Sequence, residues 1–274
     1  MKRIFFFIQI FVLLFIGSAI AGTFNSGSTG ADGAFNPTAD TELQLPADGV
    51  FNFTTVNIPA GVTVTFKKNA SNTPVYILAT GDVAIAGAIK VDGGSTSSSI
   101  GNNPGSGGPG GFDGGWGGVA GLSDGAGGKG LGSGGGGGGI GSCTHGGGGG
   151  FGAIGNSTGY SCGVGGPIYG NERLIPLIGG SGGGGGSGNS SSGGGGGGGA
   201  ILIASSGTIT ISGSITANGG DSSNTISSYW LGGGGSGGGI RLVANTIKGN
   251  KRRWHHFFCW RRIGNSRRLW PHKA

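Results

Sequence analysis

Acidic side chains are scarce in this chain: ten Asp and Glu in 274 residues, spread from Asp32 to Asp221. Polysaccharide cleavage needs two carboxyl groups brought together, or a base placed as proton abstractor. No stretch supplies such a group, so the expectation is a protein that is not an enzyme, with no catalytic residue and no cofactor-binding residue. Cysteine is also rare, three residues in all, and lacks the paired close spacing of a zinc site. No metal ligand is therefore assigned. After the first 21 residues no run is apolar enough to span a bilayer and none has helical periodicity. A strict Gly-X-Y period is missing, which excludes a collagen triple helix.

What is present is glycine, 74 residues, 50 of them between positions 101 and 200. A residue without a side chain contributes nothing to an apolar core and loses the most entropy on ordering. The middle of the chain cannot build an ordinary hydrophobic interior.

The first residues, MKRIFFFIQIFVLLFIGSAIAG, have the parts of an export signal. Lys2 and Arg3 precede an apolar run, and Ala19-Ile20-Ala21 fits the small-x-small rule, which places cleavage between Ala21 and Gly22. The expected location is secreted, extracellular or at the cell surface, with no transmembrane span once the leader is removed. Cys143 and Cys162 form a pair suited to a disulfide in that oxidising setting.

Residues 22–41 are small and polar and read as a loosely ordered segment. From 42 to 94 apolar and polar residues alternate, as in Val62, Val64 and Phe66, the period of a strand with one buried face. VYILATGDVAIAGAIKVDGG (75–94) returns as ILIASSGTITISGSITANGG (201–220). Gly81 aligns with Gly207, Val83 with Ile209, Ile85 with Ile211, Gly87 with Gly213 and Ile89 with Ile215. A third copy opens at Ile240. Region 200–250 is thus a second β-repeat region. Asp82 and Asp92 fall at turn positions and are read as turn hydrogen-bond acceptors.

Short strands punctuated by Gly, Asn and Asp point to an all-β fold, a β-solenoid or parallel β-helix-like stack, with a β-sandwich as runner-up. Between the repeats lies a glycine-rich insertion, 95–199. It reads either as a flexible low-complexity segment or as packed polyglycine chains, extended like polyproline II. Matches to G-x-S-x-G at 155–159 and 179–183 lack the strand-to-helix context of a hydrolase nucleophile.

The segments GDVAIAGAIKVDGG and GTITISGSITANGG resemble coils of secreted β-solenoid proteins, a group that includes adhesin-like surface proteins and pectin-lyase-like enzymes. The resemblance implies a secreted, non-enzymatic structural or adhesin-like protein, with polysaccharide or cell-surface components as partners. A carbohydrate-active β-helix protein, lyase-like, hydrolase-like or glycan-binding, is the alternative.

The last 24 residues differ from everything before them. Residues 251–274 hold eight Lys and Arg, three Trp and three His with no acid, while residues 22–250 hold seven basic and ten acidic side chains. Taken alone, the tail suits nucleic acid or an anionic membrane. Every Trp codon is TGG, however, and read one base later it begins GG and encodes glycine. With CGG arginine codons, KRRWHHFFCWRRI becomes a glycine-rich repeat that continues ANTIKGN. The tail is therefore read as an out-of-frame translation of the third repeat, and nucleic acid is not the expected partner.

Overall fold

The computed structural model describes residues 23–96, 103–118, 125–141, 144–157, 163–188, 191–222 and 230–249, with the backbone of 258–262. The leader with its Ala21/Gly22 cleavage site, and both Cys143 and Cys162, lie outside the described residues. Eleven strands form in chain order: β1 Gly33–Phe35, β2 Thr41–Gln44, β3 Val50–Ile58, β4 Thr63–Lys67, β5 Val75–Ala79, β6 Val83–Ile85, β7 Ala88–Lys90, β8 Ala200–Ile211, β9 Ser214–Thr216, β10 Gly239–Gly249 and β11 Phe258–Arg262. No helix occurs among them.

The strands lie in two sheets. One runs β1-β3-β5-β8-β10-β11, with β6 between β3 and β8, and the other runs β2-β4-β7-β9. Each sheet takes up strands in chain order, and all the pairings are parallel. Hairpins give antiparallel neighbours, and a Greek-key sandwich is made of them. The β-sandwich expectation is therefore replaced by an all-β fold of parallel sheets. Strands also begin earlier than position 42, at Gly33, where too few residues alternate to be seen as a pattern.

Register explains the internal repeat. Val83 pairs with Ile209, Ile85 with Ile211, and Ile89 with Ile215, so the two sequence copies lie directly on one another. Inward side chains form columns such as Phe51–Ile77–Ile203–Leu242 and Val56–Val83–Ile209–Ile247. Ile203 and Ile209 are fully buried. A buried Ile of this kind contributes roughly 1.5–3 kcal/mol by the area removed from water.

The long strands bend at a shared corner. In β3 the buried residues are Phe51 and Phe53, then Val56 and Ile58, so the alternation slips by one residue at Thr54–Thr55. Across β5 and β6 the corner takes one residue more, four from Ala79 to Val83, so the parity of the buried positions is kept there. In β8 the buried hydroxyl of Ser205 turns the corner by donating to the Gly81 carbonyl, 2.7 Å, and accepting from the Gly207 amide, 3.0 Å. At the next turn Gly87 and Gly213 stack. A Cβ on Gly213 would overlap the Gly87 carbonyl, which is why both copies keep glycine there.

Residues 23–30 lie extended across the corner, with even-numbered residues half-buried and odd-numbered ones exposed. Hydrogen bonds fix this segment, which small polar composition alone made look loose.

Candidate functional site

The glycine-rich insertion is packed into an ordered raft. Its central segment is 179–188, with neighbours on six sides. Gly180, Gly183 and Gly186 donate their amides to Gly198, Gly195 and Ser192, at 2.7, 2.9 and 2.9 Å. Gly182, Gly185 and Gly188 donate to Leu131, Gly128 and Gly125. Gly184 and Ser187 donate to Gly147 and Thr144. The carbonyls of the same residues accept from three further segments, through Gly115 and Gly118, Gly136 and Gly139, and Gly233 and Ser236. Each direction recurs every third residue, the repeat of an extended chain with three residues per turn. Segment 191–199 is surrounded in the same way, by 91–94, 105–108, 112–115, 180–183, 217–220 and 230–236.

Chains this close leave no space for side chains. A Cβ on Gly182, Gly184 or Gly197 would overlap the backbone of an adjacent segment. Buried glycine amides thus find backbone partners without strands or helices, as buried polar groups must. The raft is continuous with the sheets. Gly199 leads straight into β8, Gly238 into β10, and residues 91–94 and 217–220 leave β7 and β9 side by side. The raft therefore extends beyond the 95–199 insertion into both repeat regions. A second apolar cluster of Phe151, Leu174, Leu177 and Ala200, with Tyr76, Tyr169 and Leu202, joins raft to sheet.

The raft has two different ends. At the end away from the sheets the described segments are tied by Thr96 N to Asp221 O, Gly118 N to Gly186 O, Gly188 N to Gly125 O, Ser187 N to Thr144 O and Ser192 N to Trp230 O. The exposed large apolar side chains of the described residues, Trp116, Leu131, Ile140, Ile154, Val164, Ile168 and Ile175, all belong to the insertion. Sequence reasoning missed them as a group. The available signal is a lone large residue inside a glycine run, since the packing admits a side chain only where it points out.

The carboxylates are spread out, and those of Asp32, Asp40, Asp82, Asp92 and Asp113 accept from backbone amides. Asp82 accepts from Thr208 N at 2.7 Å, and Asp92 accepts from Asn218 N at 2.7 Å and from the Thr216 hydroxyl at 2.9 Å. Asp32 and Asp40 accept from Asn52 N and Thr63 N. Asp113 accepts from Gly107 N and meets Lys68 at 3.3 Å. The serines of the two G-x-S-x-G matches are structural: Ser181 is fully buried and accepts from Gly134 N, while Ser157 accepts from Gly165 N. His145 lies beside the Thr144 hydroxyl at 3.3 Å. Burial raises the Tyr169 phenol above its ordinary range, partly offset by a hydrogen bond with Ser181. That phenol also donates to the Gly179 carbonyl at 2.6 Å.

Among the described residues no group of three or more His, Cys, Asp or Glu could hold a metal ion. No helix among them is long and apolar enough to cross a membrane. A shallow depression of about 200 Å³ beside Phe151, Ile154, Asn156 and Ser236 is lined by no ionisable group.

Comparison with family models, curated proteins and solved structures finds no match. The resemblance to secreted adhesin-like β-solenoid proteins is accordingly withdrawn. It rested on an alternation of strands and turns, which stacked parallel strands produce whatever their ancestry.

Proposed function

We propose that this chain is an exported, non-enzymatic structural protein of β-solenoid build, whose glycine raft holds a binding end away from the stacked coils. In this reading each coil lays one strand or strand pair on each sheet. The raft grows from the same coils as a stiff lateral extension.

The observation that carries the reading is the hydrogen bonding of segment 179–188 to six neighbours. Such a slab is rigid and nearly free of side chains, so its chemistry is concentrated where chains turn. Binding residues are disproportionately found on loops held by a rigid scaffold. In sequence the 95–199 insertion carries few charges and many Ser and Thr hydroxyl groups, which favours uncharged, hydroxyl-rich partners such as polysaccharide or cell-surface components. The commitment of Asp82, Asp92, Asp32 and Asp40 to backbone amides favours binding over cleavage.

The test is a pull-down of the exported chain on insoluble polysaccharides and on whole cells, with reducing-sugar release measured in parallel. Retention without sugar release supports the proposal. Release of reducing ends or of unsaturated products moves the assignment to a carbohydrate-active enzyme. Retention on nucleic acid that survives truncation at Asn250 contradicts it as well.

A further inference from the structure

We infer that residues 23–30 act as an axial clasp that ties the coil of β10 to those of β8, β5 and β3. At one end the Phe24 amide donates to Asn245 Oδ1 of β10 at 2.8 Å, and Asn245 Nδ2 in turn donates to the Ser206 carbonyl at 2.9 Å. In the middle the Ser26 amide donates to the Ser206 hydroxyl at 3.0 Å, and the Ser26 hydroxyl donates to the Ala79 carbonyl of β5 at 2.7 Å. At the far end the Ser28 hydroxyl donates to the Phe53 carbonyl of β3 at 2.9 Å, and the Thr29 amide to Asn52 Oδ1 at 3.2 Å.

The lengths agree. From β10 through β8 and β5 to β3 is three inter-strand steps, about 14 Å, and four extended residues from Phe24 to Ser28 also reach about 14 Å. The clasp thus crosses the coils along the stacking direction, while every strand runs across it. It joins parts of the chain 221 residues apart. Stacked repeats are otherwise held only by their nearest neighbours, so they open from an end. A clasp that ties β10 to β3 raises the cost of separating the coils between them.

The position in the chain gives the device a timing. The clasp directly follows the Ala21/Gly22 cleavage site expected from sequence. It can close only after β10 has been made and stacked, when its partner Asn245 is in place.

The experiment compares the mature chain, a variant lacking residues 22–30, and S26A/S28A, which alters only the clasp side. Amide exchange is followed in β10 and in β3. The expected result is exchange in β10 at least about tenfold faster in both variants, with β3 less affected. Adding the synthetic peptide TFNSGSTGA to the deletion variant restores slow exchange. Unchanged β10 exchange in S26A/S28A, or no effect of the peptide on a folded deletion variant, overturns the inference. A deletion variant that does not fold leaves S26A/S28A to decide.

Discussion

Replacing Gly184 with alanine puts a methyl group into the centre of the raft. The new Cβ would overlap the Gly137 carbonyl oxygen and lie 2.5 Å from its carbon and 2.9 Å from the Gly136 oxygen. These are backbone atoms of a segment itself held on several sides, so they cannot rotate away. Overpacking of this kind costs about 1–3 kcal/mol. Displacement would also strain the bonds Gly184 N to Gly147 O, 2.9 Å, and Gly233 N to Gly184 O, 2.7 Å. Losing one of them costs about 1 kcal/mol. Against this, alanine restricts the unfolded chain and returns about 0.4–1 kcal/mol. The net destabilisation is about 1–3.6 kcal/mol, or roughly 2–14 °C in Tm for a chain of this size. Gly237 is the matched control, because its Cβ would find only the Ala217 oxygen at 3.6 Å. Gly237→Ala should leave Tm unchanged or raise it slightly. Scanning calorimetry on the two variants decides the matter. Equal melting temperatures, or a lower one for Gly237→Ala, would refute a close-packed raft.

Asp82→Ala removes the acceptor of the Thr208 amide and should cost about 1–2 kcal/mol in urea unfolding, with no change in any polysaccharide binding. Burial raises the Tyr169 phenol, so the folded state resists its ionisation; the stability it contributes is present below pH 10 and is lost as pH rises through the folded value. Tyr169→Phe should flatten that alkaline decline in stability measured against pH. The nucleotide sequence over codons 250–274 should show mostly CGG arginine codons and a glycine-rich reading one base on; AGA codons there would refute the out-of-frame origin of the tail.

The stacked strands were legible because apolar alternation leaves a periodic trace. The alignment of Val83 with Ile209 and of Ile89 with Ile215 is the pairing found in the sheets. Asp82 and Asp92 were legible as polar acceptors at turns, but the turn-bonding reading missed their partners: they accept from the Thr208 and Asn218 amides of the other copy, 126 residues away. The raft was not decidable, since packed and flexible polyglycine have the same composition. Its order lies in a three-residue hydrogen-bond repeat that marks no side chain. The clasp was hidden for a related reason. Ser26 and Ser28 act through hydroxyls on the Ala79 and Phe53 carbonyls of distant strands, and small polar residues elsewhere signal loose chain. β1 also escaped notice, because it holds only three residues.

Hydrogen exchange at the amides of Gly183, Gly184 and Gly185 bears most directly on the ordered raft. These amides donate to Gly195, Gly147 and Gly128, each at 2.9 Å. They should exchange at least about 1,000-fold more slowly than a free glycine chain, at rates close to those of buried β8 amides. Exchange at the rate of an unstructured glycine peptide, beside a protected β8, would contradict the raft and the function built on it.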